Sequence, residues 1–371
     1  MKIAILTQTP GSNYGGIIQN YALQKALKDM GCQPITINLP MVKPVSKNRI
    51  FFSECKTYIY RYLFHKNMLT KSERFIINKN NRKFIKTHIN LSELIYNTVK
   101  LSNYFSKHSF DAVIVGSDQT WRPKYSPDIY NFYLDFLENN HKIKKIAYAS
   151  SFGTSDWEYT AEQTRRVSEL AKNFDAISVR EASGVDLCNE KLGVEAVHLL
   201  DPTLLLTAED YSQLIKQPKA NKELFTYVLD ESRYKQDFIQ SIGKQLNLKQ
   251  YTNQAQKFDA KVKRPLEELI TPPLEGWLQG FRDAEFVITD SFHGTVFSII
   301  NKKPFITLVN VKRGASRFES ILSKLGLEER MVYDLHSFDK SVIKKQIDYE
   351  AVHQKLNALK EESLNFLKDN L

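Results

Sequence analysis

The stretch Glu285-Phe-Val-Ile-Thr-Asp-Ser-Phe-His-Gly-Thr-Val-Phe-Ser298 decides the fold of this chain. Its apolar run at 286–288 is typical of a buried parallel strand, and the amphipathic pattern from Val296 onward is typical of a helix. A strand, a polar turn and a helix in this order direct helix N–H groups toward an anionic ligand at the carboxyl edge of an α/β sheet. The same residues also suit helix capping, so this stretch alone leaves both interpretations open.

The composition indicates an ordinary globular protein. A length of 371 residues predicts about two domains, each with its own core. Three widely spaced cysteines, Cys32, Cys55 and Cys188, fit neither a disulfide framework nor a metal site, and they favour a reducing compartment. The sequence has no secretory signal and no apolar run of membrane-spanning length. We therefore expect a soluble, cytoplasmic protein.

The net charge of +10 is concentrated in one region. Residues 43–107 contain 14 basic and 3 acidic side chains, whereas the rest of the chain has 38 basic and 39 acidic ones. We interpret about 41–106 as an inserted helical region whose basic residues alternate with Tyr and Phe. Its basic face could bind an anionic membrane surface or nucleic acid, or it could simply be solvated. No known nucleic-acid motif is present, so we expect no nucleic-acid partner.

The N-terminal residues form a βαβ unit. A strand at 2–6 is followed by a glycine-containing loop, a helix at 17–30 and a strand at 34–38. The loop lacks the GxGxxG spacing, and no acidic residue closes the second strand, so a dinucleotide is not indicated. The Gly15-Gly16 pair suits close approach of a phosphate or sugar, although a tight turn alone would explain it.

Further apolar runs continue the α/β pattern. They predict strands at 110–115, 145–149, 176–179 and 197–200, and then at 224–229, 286–289 and 304–308. The predicted helices lie at about 160–172, 208–217, 233–245, 274–283, 295–302, 317–325 and 349–369. Polar clusters follow four of the strands: Gly116-Ser-Asp118, Ser150-Ser151, Arg180-Glu181 and Asp201-Pro202. In a parallel sheet such clusters converge on one edge, which predicts a binding cleft.

We therefore predict an α/β protein with two Rossmann-like domains. The first covers 1–207 and carries the basic insertion, and it would form the acceptor side of the cleft. The second covers 208–348 and would form the donor side. A C-terminal helix at 349–371 would pack back across both domains.

The motifs resemble those of a known family. Asn13-Tyr-Gly-Gly16, with Gln19 and Tyr21-Ala-Leu-Gln24, resembles the first motif of the polysaccharide pyruvyl transferase family. The remaining motifs follow in that family's order: Gly116-Ser-Asp-Gln119, Ser178-Val-Arg-Glu181, Asp201-Pro-Thr203, Thr289-Asp-Ser-Phe-His-Gly294 and Arg317. The resemblance covers nearly the full length except the basic insertion. Each motif is weak alone, but their ordered combination is fairly specific.

The resemblance implies a GT-B-like fold, in which two Rossmann-like domains face each other across a cleft. It also implies a ketal-forming transferase that moves the enolpyruvyl group of phosphoenolpyruvate onto a sugar, with no cofactor beyond this donor substrate. The acceptor would be a sugar or a lipid-linked oligosaccharide, as a precursor of capsule or exopolysaccharide. Such an acceptor at the inner membrane would explain a peripheral contact between the basic insertion and anionic lipid.

Ketal formation requires a proton donor for the vinyl carbon and a base for the sugar hydroxyl. His293 is the best candidate because imidazole performs both tasks near about pH 7. Asp118 and Asp290 are further catalytic candidates, although both also suit helix capping. The predicted donor-binding residues are Arg180, Ser291, Phe292, Gly294, Thr295, Arg313 and Arg317. The predicted acceptor-binding residues are Asn13, Tyr14, Gly15, Gly16, Gln19, Ser117 and Gln119.

Simpler roles exist for the arginines. Arg180 could form a surface salt bridge with Glu181, and Arg317 could lie on an ordinary helix face. Some members of the family have Arg-Leu-His where this chain has Ser291-Phe-His293, so a candidate partner of the donor carboxylate is replaced by Ser291. Arg313 or Arg317 could supply that charge.

Two other functions fit the same scaffold. A glycosyltransferase of the GT-B type would use a nucleotide-sugar donor in the same cleft. A non-catalytic carbohydrate- or membrane-binding module would tolerate loss of His293. No group of His, Cys, Asp and Glu has the spacing of metal ligands, so we expect no metal.

Overall fold

A computed structural model describes residues 1–40, 45–126, 128–215, 223–310 and 314–371. Its strands form two parallel sheets, one of seven and one of five strands. The first has the order β3-β2-β1-β4-β5-β6-β7 and the second the order β12-β11-β10-β8-β9. The predicted strand at 286–289 is β10, the central strand of the second sheet.

The first sheet is built from the strands that alternate with helices in the first half of the chain. These are β1 (Lys2–Leu6), β2 (Gln33–Asn38), β3 (Leu91–Leu94), β4 (Ala112–Val115), β5 (Lys144–Ser150), β6 (Ala176–Val179) and β7 (Val197–His198). The strand order reverses between β1 and β4, where Ile5 pairs with Ile114. The loops after these two strands therefore border the crevice in which open α/β sheets bind ligands.

The second sheet comprises β8 (Leu224–Tyr227), β9 (Gln250–Tyr251), β10 (Phe286–Thr289), β11 (Phe305–Leu308) and β12 (Met331–Val332). Strand β10 pairs with β8 on one side and with β11 on the other. All four residues of β10 are buried, as expected for a strand covered by helices on both faces.

The helices follow the apolar periodicity of the sequence. They are α1 (Tyr14–Asp29), α2 (Lys47–Tyr62), α3 (Lys71–Ile77), α4 (Lys79–His88), α5 (Thr98–Lys107), α6 (Ala161–Ala171), α7 (Ala182–Leu187), α8 (Ala208–Ser212), α9 (Arg233–Leu246), α10 (Leu266–Leu269), α11 (Leu274–Asp283), α12 (Phe292–Ile300), α13 (Ser316–Leu325) and α14 (Tyr349–Asn370). None of these described helices combines the length and the apolar character that a membrane span requires.

Two differences from the sequence predictions matter for function. Helix α12 begins at Phe292, three residues earlier than predicted, because the Ser291 side chain caps it by accepting from the Gly294 N–H. The predicted insertion at 41–106 is helical through α2, α3 and α4. However, β3 is an edge strand of the first sheet, and α5 packs on that sheet through Leu101 and Phe105. The region outside the sheet layers is thus shorter than predicted.

Apolar contacts join the two halves of the molecule. Ile17 and Ile18 of α1 share one buried cluster with Trp277 of α11 and Phe297 of α12. The last helix, α14, contributes Val352 and Leu356 to that same cluster. Further along α14, Leu367 packs beneath β1 of the first sheet. The N-terminal end of α1 and the N-terminal end of α12 are thereby held close together. The domain boundaries predicted at 207 and 348 stay predictions.

Candidate active site

His293 lies in the first turn of α12, directly after β10. The residue is buried, with 7% of its surface exposed. A Cβ atom built on Gly15 would lie 2.2 Å from His293 Nδ1, so the imidazole rests against the backbone of α1. On its other side, Nε2 is 3.8 Å from Asp201 Oδ2 and has no hydrogen-bond partner among the described residues. His293 is therefore held between the two domains with one nitrogen available.

Arg180 follows β6 and is buried beside the same carboxylate. Its Nη1 donates to Asp201 Oδ2 over 2.9 Å. Its Nη2 is 3.9 Å from Asp118 Oδ1, and its Nε is 3.6 Å from Glu181 Oε1, both longer than hydrogen bonds. Nε and Nη2 thus find no hydrogen-bond partner in the described part of the chain. The expected alternative, a surface salt bridge with Glu181, is wrong, because both side chains are buried.

Asp201 organises this group, although the sequence analysis gave it no catalytic or binding role. One carboxylate oxygen, Oδ1, accepts from the N–H and the hydroxyl of Thr203 over 3.0 and 2.6 Å. The other, Oδ2, faces Arg180 and His293. The motif Asp201-Pro-Thr203 signalled a polar strand end, but the direction of its carboxylate depends on the folded loop.

Burial and charge set the protonation states of these groups. Burial lowers the pKa of His293, and Arg180 lowers it further, against the opposing effect of Asp201 and Asp118. Burial alone would raise the pKa of Asp201, but His293 when it is protonated, the charge of Arg180 and the hydrogen bonds from Thr203 hold it below its ordinary value. Burial alone would lower the pKa of Arg180, but nearby carboxylates, Glu181 first, hold it above its ordinary value. The group therefore combines a neutral imidazole with a charged guanidinium and a charged carboxylate.

Two arginine side chains lie over the aromatic ring of Phe292. The Cζ atoms of Arg180 and Arg317 lie 5.1 and 5.9 Å from the centre of its ring, which is within the range of cation–π attraction. Arg317 stands in the first turn of α13, and burial with the nearby Arg180 lowers its pKa to about 10. Both guanidiniums thus remain charged near neutral pH and face the same region.

A cleft of about 610 Å³ opens between the domains, and neither of these arginines is among the residues that line it. Ser183 at the start of α7 lines it from the first domain, and Gly314 and Ser316 line it from the second. A Cβ atom on Gly314 would meet the Gly153 carbonyl oxygen at 2.0 Å, so the two domains approach each other closely here. Arg313, a predicted donor-binding residue, lies outside the described residues.

The acceptor-side motif shapes the start of α1. Asn13 caps the helix by accepting from the Gly15 N–H over 3.0 Å. Tyr14 is buried, and its hydroxyl donates to the Pro272 carbonyl of the second domain over 2.5 Å. Gly16 faces Asp118, since a Cβ atom there would lie 3.4 Å from Asp118 Oδ2. Gly15 is thus required for the contact with His293, whereas a Cβ atom on Gly16 would make only an ordinary contact with Asp118.

The remaining acceptor-side candidates are held within the first domain. Ser117 donates to the Ala149 carbonyl over 2.8 Å, and Gln119 Oε1 accepts from Arg122 over 2.9 Å. Arg122 is in turn fixed by a bidentate ion pair with Glu158, which the sequence analysis did not detect. Gln19 is buried in α1, and its Nε2 has no hydrogen-bond partner among the described residues. Their contact with an acceptor stays a prediction.

Several predicted residues have structural tasks instead. Both carboxylate oxygens of Asp290 are occupied, by the Leu229 and Asp230 N–H groups and by Lys235 Nζ at 2.7 Å. Asp290 therefore fixes the loop after β8, and these contacts favour a structural role over the predicted catalytic one. Ser291 caps α12, which confirms the capping interpretation for this residue.

Gly294 and Thr295 fit helix α12 against the sheet rather than facing the arginines. A Cβ atom on Gly294 would lie 2.2 Å from Thr289 Oγ1, so only glycine permits this packing. The Thr295 hydroxyl is hydrogen-bonded to that of Thr307 on β11 over 2.7 Å and is fully buried. Both residues are buried, and these contacts favour a packing role over the predicted donor-binding one.

The family assignment rests on a match over most of the chain. A model of the family described as Polysaccharide pyruvyl transferase matches residues 13–312. The chain belongs to the polysaccharide pyruvyl transferase family. The resemblance noted from the motifs is thereby confirmed, and the matched region includes both Asn13 and His293. A search of curated proteins found no match.

Solved structures of similar fold share little sequence with this pyruvyl transferase family member. UDP-GlcNAc 2-epimerase from Methanocaldococcus jannaschii is 16% identical with a TM-score of 0.50, over 96% of this chain and 93% of that chain. Arabidopsis thaliana UGT89C1 complexed with UDP-L-rhamnose is 10% identical with a TM-score of 0.51, over 98% of this chain and 94% of that chain. These likenesses show the fold alone, and they confirm the predicted GT-B-like class.

Proposed function

We propose that this protein transfers the enolpyruvyl group of phosphoenolpyruvate to a sugar and forms a pyruvate ketal across two of its hydroxyls. The observation that carries the proposal is the Nε2 of buried His293 next to Nε and Nη2 of Arg180, all three without a hydrogen-bond partner among the described residues. A neutral base beside a charged guanidinium matches a reaction that removes a hydroxyl proton while it binds an anionic donor.

The proposed reaction balances with no further reactant. The methylene carbon of phosphoenolpyruvate takes up a proton and becomes the ketal methyl group, and the central carbon becomes oxocarbenium-like. One sugar hydroxyl forms a C–O bond to this carbon and loses its proton, and the C–O bond to phosphate breaks. The second hydroxyl forms the other C–O bond and releases its proton. One phosphate leaves for each ketal formed.

Each residue takes the role that its surroundings favour. His293 accepts a hydroxyl proton at Nε2, because burial and Arg180 keep the imidazole neutral. Asp201 then stabilises the imidazolium that forms, at a separation of 3.8 Å. Arg180 and Arg317 bind the carboxylate and phosphate of the donor above Phe292. Asp118, partly exposed and facing Gly16, is the second candidate for proton transfer.

The acceptor belongs to the same proposal. We infer a precursor of a surface polysaccharide, such as capsule or exopolysaccharide, presented as a free sugar or as a lipid-linked oligosaccharide. A lipid carrier would bring the cytoplasmic enzyme to the inner face of a membrane. The absence of any cofactor besides the donor substrate stays a prediction.

Thermal unfolding with candidate donors tests the proposal. A ligand that binds only the folded protein raises the melting temperature by an amount that grows with its affinity. We expect a rise with phosphoenolpyruvate that is lost in Arg180→Lys, because lysine cannot reproduce the guanidinium fork. Arg166→Ala is the control, since this arginine lies on α6 and pairs with Glu138. His293→Gln should retain the rise but lose phosphate release.

The same panel includes nucleotide-sugars, because a GT-B-type glycosyltransferase would use them. The family match does not favour this alternative. A rise with a uridine or guanosine diphosphate sugar, and none with phosphoenolpyruvate, would refute the proposed donor. Unchanged phosphate release in His293→Gln would refute the catalytic assignment even if the donor is right.

A further inference from the structure

Helix α2 projects from the molecule with its apolar side outward. It runs from Lys47 to Tyr62, outside both sheets, and Thr57 is its one fully buried side chain among those described. Thr57, with Ile50 and Arg61, lies on the side that faces the protein. The usual arrangement of a surface helix, with its apolar face inward, is thus reversed here.

The outward face is defined by its spacing. Phe51, Phe52, Tyr58, Ile59, Tyr62 and Leu63 recur at the interval of a helical repeat and cover an arc of about 140°. We call these six residues the apolar face. Each is exposed, with Phe52 and Leu63 at 70% and 72%. Phe64 and Phe75 extend it, at 62% and 64%. Monomeric proteins rarely leave so many large apolar side chains together in water, so this face indicates an interaction surface.

Among residues 45–79, the exposed charged side chains are all basic. Glu54 and Glu73 are the acidic residues between positions 45 and 79, and both are tied into the α2–α3 junction. Glu54 accepts from the Lys71 N–H over 2.9 Å, and Glu73 forms a bidentate contact with Arg61 at 2.8 Å. The exposed charges nearby are basic: Arg49, Lys56, Lys66, Lys71 and Arg74.

We propose that the apolar face docks on the surface of an anionic lipid bilayer. An outward apolar stripe of aromatic and aliphatic side chains, bordered by Lys and Arg, is the pattern of helices that lie in the membrane interface. Anionic headgroups would complement the basic border. A second copy of this chain is a poorer partner, because its identical basic border would face this one.

A groove leads from this surface toward the candidate active site. A cleft of about 950 Å³ lies between two segments, residues 61–73 on one side and residues 258–269 on the other. It shares Leu69, Phe258 and Leu269 with a second cleft of about 490 Å³, which is lined by Tyr14 at the start of α1. The biological role of this docking rests on the proposed function, since a lipid-carried sugar held at the bilayer could reach α1 along this groove.

Vesicle co-sedimentation of the full-length protein tests the inference. One set of vesicles contains equal parts of phosphatidylglycerol and phosphatidylcholine, and the other contains phosphatidylcholine alone. We expect binding to the anionic vesicles, weakened by salt, and at least about tenfold weaker binding by the double variant Phe52→Ser, Leu63→Ser. Val99→Ser, which removes a 70% exposed side chain on α5, is the matched control and should bind like the wild type.

Three results would overturn the inference. They are an absence of binding to anionic vesicles, equal binding by the double variant, and a wild-type dimer that the double variant converts to a monomer in light scattering. The last result would identify the apolar face as a contact between copies. Since the substituted side chains are exposed, the variants should retain the wild-type melting temperature. The assay contains no phosphoenolpyruvate, so its outcome is independent of whether the proposed transfer reaction is correct.

Discussion

Replacing Gly15 by alanine should displace His293 while leaving the chemistry of every other side chain unchanged. The added Cβ atom would lie 2.2 Å from Nδ1, 2.8 Å from Cε1 and 2.9 Å from Cγ of the imidazole. Since non-bonded heavy atoms pack at about 3.5 Å or more, the ring must move by about 1 Å. Asp201, 3.8 Å from Nε2, leaves little space on the opposite side.

The size of the effect follows from two opposing contributions to stability. Overpacking of a buried site costs about 1–3 kcal/mol, whereas alanine in place of glycine stabilises a helix by up to about 1 kcal/mol. The net loss in the free energy of unfolding should be about 1–2 kcal/mol, which corresponds to a melting temperature lower by a few degrees. A catalytic group misplaced by about 1 Å costs about 100-fold in rate.

Gly16→Ala is the matched control, because it makes the same change one residue further along the same helix. The closest atom to its new Cβ would be Asp118 Oδ2 at 3.4 Å, which is an ordinary contact. We expect an unchanged or slightly higher melting temperature and nearly full activity. Thermal unfolding measures the stability, and phosphate release from phosphoenolpyruvate with acceptor sugars measures the rate. Equal melting temperatures and equal rates for the two variants would refute the proposed contact between α1 and the imidazole.

Two further predictions follow from the surroundings of Asp290 and His293. Asp290→Asn should lower the free energy of unfolding by about 3 kcal/mol or more, because it breaks the buried pair with Lys235, and it should leave the melting shift with phosphoenolpyruvate intact. A lost shift with unchanged stability would contradict this assignment. The lowered pKa of His293 means that, below about pH 6.5, the unfolded chain takes up a proton that the folded protein does not. As the pH drops from about 6.5 toward the folded pKa of His293, the free energy of unfolding of the wild type should therefore fall more steeply than that of His293→Gln. The difference in slope should reach up to about 1.4 kcal/mol per pH unit. Equal slopes of the free energy of unfolding against pH for the two proteins would contradict this prediction.

The sequence predicted the fold well because its strands are buried on both faces. Such strands are uninterrupted apolar runs, and β1, β4, β5, β6 and β10 were all predicted within two residues of their ends. Strands β3, β9 and β12 have only two to four residues each. Such short segments show no hydrophobic periodicity, so the sequence pattern did not predict them. Short edge strands acquire their conformation from the neighbouring strand, which a local pattern cannot reveal.

The candidate site was predicted in part. His293, Arg180 and Phe292 were each predicted just after a strand. Arg180 follows β6 of the first sheet and Phe292 follows β10 of the second, so they meet because the carboxyl ends of the two sheets face each other. Asp290 and Thr295 belong to the same motif, yet their side chains point elsewhere. Neighbouring residues in a strand or helix turn point in different directions, and only the folded helix α12 shows which of them face α1. The role of Asp201 could not be predicted for the same reason.

The site has a consequence for how the two domains work together. His293 comes from the second domain, but the groups that set its position and its pKa, Gly15, Asp201 and Arg180, come from the first. Separation of the domains would expose the imidazole to water and remove the carboxylate that stabilises its charged form. The proposed base would thus be complete only when the cleft is closed. In the proposed reaction, closure would also exclude water that could capture the oxocarbenium-like centre in place of the sugar hydroxyl. In the proposed reaction, interdomain contacts such as that between the Tyr14 hydroxyl and the Pro272 carbonyl would contribute to catalysis as well as to stability.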